Sequence, residues 1–173
     1  MHNYLILLAV LVIAGCKTVP VKHQDLISGK VFATARIECR SNSNAEGQAW
    51  FAKNKDGIQV LVVAKNLTPG LHGIHIHEIG DCSADDASSA GPHYNPGHHK
   101  HGSSDPAMFH KGDLGNIVVS NQGYGILNLG IPGDWKDIIG KSLVLHASVD
   151  DLKSQPAGDS GGRIGCGVIK AIY

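Results

Sequence analysis

The sequence predicts an all-β fold of eight short strands, an antiparallel sandwich or flattened barrel interrupted by two long functional loops. Three observations carry this expectation. Glycine supplies 22 of the 173 residues, roughly twice its usual share, whereas aromatic residues make up only 5%. Short apolar and β-branched runs recur between clusters of Asn, Asp, Gly and Pro. No stretch reads as a convincing helix.

Taken in chain order, residues 1–15 hold an apolar run too short to span a bilayer, followed by small residues, and read as a signal peptide. The end of this segment, Ile13-Ala14-Gly15-Cys16, resembles the lipobox of bacterial lipoproteins, which makes Cys16 the lipidated first residue of the mature chain. Residues 16–28 contain a proline and no sustained period, as expected of a tether. The folded domain is expected over 29–173. Strands are predicted at 30–39, 48–53, 58–65, 71–78, 115–120, 124–129, 142–148 and 166–172, with turns at Asp56-Gly57 and Gln122-Gly123 closing hairpins. Two segments, 80–113 and 149–165, break the pattern. Unstructured connections longer than about 15 residues in a compact domain are usually functional or disordered. The first of them holds five of the eleven histidines.

Lys plus Arg and Asp plus Glu are 15 each, so no overall field draws the chain to nucleic acid or to an anionic membrane surface. Membrane contact is expected only through a lipid on Cys16. The histidines carry a more specific message. His75 and His77 lie two apart in an alternating strand, so their rings share a face, about 7 Å apart along the backbone. Two such ligands can share one ion. His72 has the opposite parity and is expected to hydrogen-bond backbone. His93, His101, His110 and Asp113 together offer three imidazoles and a carboxylate, a donor set suited to four-coordinate zinc. His146, near the end of an apolar strand, joins a site only if folding sets that strand beside His75 and His77. The adjacent His98 and His99 are read as solvated, with capture of metal at the surface as the alternative. Cys39 is expected to be a buried free thiol in the first strand.

The stretches Gly70-Leu-His-Gly-Ile-His-Ile-His-Glu-Ile-Gly-Asp-Cys82, Gly91-Pro-His-Tyr-Asn-Pro96, Lys100-His-Gly102, His110-Lys-Gly-Asp-Leu-Gly-Asn116 and Gly165-Cys-Gly-Val-Ile169 together resemble copper/zinc superoxide dismutases. The resemblance implies an eight-stranded Greek-key β-barrel that converts superoxide to oxygen and hydrogen peroxide. It implies one copper per subunit on His75, His77, His93 and His146, and one zinc on His93, His101, His110 and Asp113. His93 then bridges the two ions and supplies a proton. It further implies that Asp150 links a copper histidine to a zinc histidine, that Cys82 and Cys166 form a disulfide, and that Arg163 guides the anionic substrate. Export to the periplasm as a membrane-anchored lipoprotein would suit that disulfide.

Some positions depart from the eukaryotic branch. The segment after His146 is short, Ala157 and Pro156 stand where those enzymes carry other residues, and steering is expected from Arg163 with Lys153 or another lysine. A homodimer is left open. The rival reading is a periplasmic copper and zinc binding or delivery protein on the same fold. It predicts an incomplete copper set or a missing arginine, and the sequence has neither gap.

Overall fold

The computed structural model describes residues 23–102 and 109–172. The expected signal peptide, Cys16 and most of the expected tether lie outside the described residues. Of the tether's last residues, His23–Leu26 form one helical turn. Ile27 then packs on the outer face of the barrel with Trp50, Ala52 and Leu61. No helix among the described residues is long and apolar enough to cross a membrane.

Nine strands follow: β1 (Val31–Cys39), β2 (Glu46–Asn54), β3 (Gly57–Lys65), β4 (Gly70–His77), β5 (Asp113–Val119), β6 (Gly125–Ile131), β7 (Ser142–His146), β8 (Arg163–Val168) and β9 (Lys170–Ala171). They run in the order β2-β3-β6-β5-β4-β7-β8-β1-β9, and pairing of β1 with β2 closes strands β1–β8 into an antiparallel barrel. Non-consecutive neighbours, β3 with β6 and β4 with β7, give the Greek-key crossovers. Closure leaves the eight strands without a free edge. The hydrogen-bonded seams are uneven. β3 and β6 share seven register pairs, whereas β5–β6 and β1–β8 share two each, the latter seam gaining two more from β9.

The period of two places Ala33, Ala35 and Ile37 of β1, Phe51 of β2, Val60 and Val62 of β3, and Ile74 and Ile76 of β4 in one core. Few rings are needed because branched aliphatics and alanines fill the narrow interior. The β2–β3 hairpin turns at Lys55-Asp56, where Asn54 Oδ1 accepts the Asp56 N–H at 2.8 Å. Gly57 follows at φ 146°, a region that favours glycine.

Three local expectations are corrected. The last strand begins at Arg163, inside the segment expected to be loop, and it breaks before β9. The break lies at Ile169, whose N–H donates to Lys141 O at 2.8 Å instead of joining the ladder. β7 ends at His146, two residues short of the expected end. Cys39 is exposed, not buried. It is the last residue of β1, beyond the last core residue Ile37, and its register partner Gly165 has no side chain to cover it. Cys82 and Cys166 form the disulfide, their Cα atoms 5.7 Å apart. This link closes a loop of 84 residues, worth about 4.5 kcal/mol in the chain-entropy account.

Candidate metal centre

From His72 onward β4 is buried on both faces. Ile74 and Ile76 point into the barrel core, and alternation turns His75 and His77 outward, where the long loops cover them. The loop after β4 folds back so that His93 bridges His77 as an isolated β-pair. β7 lies antiparallel to β4, with His75 opposite Val144, and this brings His146 alongside. The rings of His75 and His93 have centroids 4.0 Å apart, and those of His75 and His146 are 4.8 Å apart.

Each ring spends one nitrogen on holding its orientation. His77 Nδ1–H donates to Gly91 O at 2.8 Å, His146 Nδ1–H to Gly161 O at 3.3 Å, and His75 Nε2–H to Asp150 Oδ2 at 2.8 Å. The opposite nitrogens, His75 Nδ1, His77 Nε2 and His146 Nε2, are buried and have no hydrogen-bond partner among the described residues; His93 Nε2 joins them. One ligand atom from each of these four residues lies within 4.8 Å of the others. Burial lowers the pKa of His75 to about 4, of His77 to about 2 and of His146 to about 3, with the charge that His93 or His75 can carry adding to the effect. At neutral pH these rings are uncharged, so their lone pairs are free for a soft or borderline cation.

A second cluster shares His93. Asp113 Oδ1 lies 2.8 Å from His93 Nδ1 and 3.2 Å from His110 Nδ1, and Asp113 Oδ2 lies 3.0 Å from His101 Nδ1. His93 Nδ1 and His110 Nδ1 are 3.5 Å apart. An ion holding nitrogens at about 2.0–2.1 Å in a tetrahedron needs donor-to-donor edges of about 3.3 Å. The cluster is of that size. Burial alone would raise the Asp113 pKa, but hydrogen bonds from His101 and His93 hold the carboxyl well below the usual carboxylate range. For His101 burial works against the proton, and the hydrogen bonds to Asp113 and Asp150 overcome it, raising the pKa to about 9.

Asp150 ties the two clusters together. Its Oδ2 accepts from His75 and its Oδ1 accepts from His101 Nε2–H at 2.9 Å. Asn116 holds this carboxylate in place through two backbone bonds, accepting from Asp150 N at 2.8 Å and donating to Asp150 O at 2.9 Å. Gln155 does the same for His101, accepting its N–H at 2.8 Å and donating to its O at 3.0 Å. A Cβ at Gly158, which sits at φ +67°, would collide with Asp150 Oδ1 and His101 Nε2. These three residues were not singled out by sequence reasoning. His72 lies apart from both ligand groups, its ring spanning Thr68 O at 2.9 Å and His146 O at 2.8 Å. His99 enters only through its backbone, accepting from His110 Nε2 at 3.1 Å. His98 and Lys153 are exposed.

Arg163 stands opposite His146 in the β7–β8 register. Its guanidinium donates from Nη1 to Ala87 O at 2.8 Å, and its positive charge disfavours protonation of both His77 and His146. Partial burial lowers its own pKa.

Comparison with known proteins agrees with this geometry. Residues 45–169 match the family described as copper/zinc superoxide dismutase (SODC). The chain is 39% identical over 142 residues to an extracellular superoxide dismutase [Cu-Zn] of Brugia pahangi, covering 74% of this chain and 70% of that protein. It is 37% identical over 140 residues to superoxide dismutase [Cu-Zn] 2 of Brassica juncea, covering 75% and 91%. A solved structure titled as that of the clock protein EA4 superposes with a TM-score of 0.71 at 33% identity, covering 84% of this chain and 98% of that one. The chain therefore belongs to the copper/zinc superoxide dismutase family, oxidoreductases that use copper and zinc to convert superoxide to oxygen and hydrogen peroxide.

Proposed function

We propose that this superoxide dismutase holds one copper ion on His75, His77, His93 and His146, and one zinc ion on His93, His101, His110 and Asp113. The observation that carries this reading is the set of four buried ring nitrogens without a hydrogen-bond partner, His75 Nδ1, His77 Nε2, His93 Nε2 and His146 Nε2, beside the Asp113 cluster that His101 Nδ1 and His110 Nδ1 face. Leaving so many buried polar atoms unpaired is costly unless a cation takes their lone pairs. The sharing of His93 follows from its two nitrogens, Nε2 in the first group and Nδ1 against Asp113 in the second.

The chemistry that copper supplies when bound is one-electron exchange with superoxide, while zinc is redox-inert. The protein's own residues do the rest. Arg163 draws the anion toward the histidine group and donates hydrogen bonds to it. His93 Nε2, when it is not bound to the ion, would hold one of the two protons that convert reduced superoxide to hydrogen peroxide. Asp150 fixes the tautomers of His75 and His101, so that Nδ1 of each faces its ion. His72 ties the end of β7 at His146 to the turn before β4 at Thr68. The purified protein is expected to contain one copper and one zinc per chain and to consume superoxide. A protein that binds both metals without consuming superoxide would instead be a buffer or delivery protein.

We also propose that residues 1–15 are a signal peptide, that Cys16 is lipidated, that 16–28 form a tether and that 29–173 are the folded enzyme in the periplasm. An exported location is supported by the Cys82–Cys166 disulfide, since such bonds persist outside the reducing cytosol, and by the extracellular name of the Brugia pahangi relative. Metabolic labelling with palmitate should mark the wild type and not Cys16→Ser; equal labelling of the two would remove the anchor. A homodimer is part of the same proposal. Exposed Leu71, Val118 and Ile126 sit in neighbouring register on β4, β5 and β6, apolar area that a second copy could cover. A single monomeric species in sedimentation equilibrium would exclude it.

A further inference from the structure

The turn between β1 and β2 carries none of the candidate ligands, yet its hydrogen bonds converge on Arg163 and on the loop that Arg163 touches. Ser41 and Asn42 have φ of 53° and 56°, and Ser43 N–H donates to Arg40 O at 3.0 Å, which makes a two-residue turn with both central residues left-handed. Glycine or asparagine is usual in such positions, and a serine at the first of them is held at a conformational cost.

What the serine adds is a pair of contacts that glycine could only half supply. Ser41 Oγ donates to Arg163 O at 2.9 Å, and Ser41 N–H donates to Asp85 O at 2.7 Å. Beside it, Arg40 Nε–H donates to Cys82 O at 2.8 Å from a side chain that is only 18% exposed. Arg40 N–H and Ser43 Oγ both donate to Ile164 O, at 2.9 and 2.5 Å.

These donors fill a gap in the barrel. The β1–β8 ladder ends at the Cys39–Gly165 pair, so Ile164 and Arg163 lie beyond it. On the other side the β7–β8 ladder shifts register between Leu145 and His146, next to Arg163. The backbone of Arg163 is thus held by an irregular ladder on one flank and by the turn on the other. Its guanidinium reaches Ala87 O, in the same loop whose Cys82 and Asp85 carbonyls the turn grips.

We infer that Arg40 and Ser41 are positioning residues for Arg163, fixing from outside the metal centre the direction in which its guanidinium meets the anion. The inference rests on the reading of Arg163 as the anion guide. A donor aimed in advance binds an anion without first losing its own freedom, so slackening the turn should weaken anion binding while both ligand sets stay whole.

The test uses Ser41→Gly, which removes the hydroxyl while relieving the positive φ, and Arg40→Lys, which keeps the charge but gives up the forked reach to Cys82 O and Cys39 O. Azide serves as the anion probe, titrated by visible absorption against the copper- and zinc-loaded protein, together with the salt dependence of superoxide consumption. Each variant is expected to keep wild-type metal content and to bind azide roughly 3-fold to 10-fold more weakly, the worth of about one hydrogen bond. In an Arg163→Ala background the same substitutions should have no further effect, because they act through that guanidinium. Wild-type azide affinity in both variants, or an undiminished effect in the Arg163→Ala background, would overturn the inference. If Arg163→Ala itself binds azide like the wild type, the guide reading fails first, and the inference falls with it.

Discussion

Replacing His146 by alanine should strip copper and leave zinc in place. His146 contributes to the first ligand group alone, and its Nε2 is one of the buried nitrogens without a partner. Losing an outer partner of a ligand typically costs about 10-fold to 100-fold in metal affinity, so losing the ligand itself should cost more than about 100-fold. Superoxide consumption should fall with copper content. Asp113→Ala should do the converse. Its carboxylate touches His93, His101 and His110 and belongs to the second group only. Asp150→Ala is the third arm. One oxygen of Asp150 holds a ring of each group, so both metals should loosen, by about 10-fold to 100-fold each. Metal analysis after dialysis against graded chelator reads all three variants. If His146→Ala and Asp113→Ala lose both metals equally, with circular dichroism unchanged, the division of ligands is wrong.

Arg163→Ala should keep both metals yet lower the second-order rate with superoxide about 10-fold or more, because a positive focus at the mouth of a site raises association by roughly 10-fold to 1,000-fold. With 15 acidic and 15 basic residues the chain has no net field to replace it. The partial burial of Arg163 and its bond to Ala87 O hold the charge in one place. The salt dependence should flatten as well, since the Debye length falls from about 10 Å at 0.1 M to about 3 Å at 1 M and there is less attraction left to screen. Arg163→Lys should be intermediate, keeping the charge but not the fork. Stopped-flow rates across that salt range check this. Wild-type rate and wild-type salt slope in the alanine variant would move the steering charge elsewhere, with exposed Lys153 the next residue to substitute.

The strands were legible because their signal is local. Alternation sets the face of His75 and His77 regardless of what covers them, and Asn, Asp and Gly mark the hairpins. The candidate ligands could be named from the joint spacing of the motifs that carry the family resemblance. What escaped was non-local. Asn116 earns its place through Asp150, 34 residues away, and Gln155 through His101, 54 residues away. Neither contact leaves a periodic trace. The start of β8 was hidden because Gly161-Gly162-Arg163 reads as loop until β7 supplies a partner. Cys39 shares the parity of Ile37, and only the end of the strand and the bare Gly165 opposite reveal that it faces solvent.

The uneven seams have their own consequence. The barrel is in effect two four-stranded shells, β1-β2-β3-β6 and β5-β4-β7-β8, stitched by two register pairs at β5–β6 and by two at β1–β8 with the help of β9. No histidine lies in any strand of the first shell; the residues of both candidate ligand groups come from the strands of the second and from the loop that joins β4 to β5. Opening at the seams breaks the fewest ladder pairs of any parting of the barrel. It would expose apolar surface without pulling one ligand from another, so one half could breathe while the other kept its cargo. Beyond the seams themselves, the Arg40–Ser43 turn of the first shell grips the loop and strand that carry Arg163, so such a parting would be felt at Arg163.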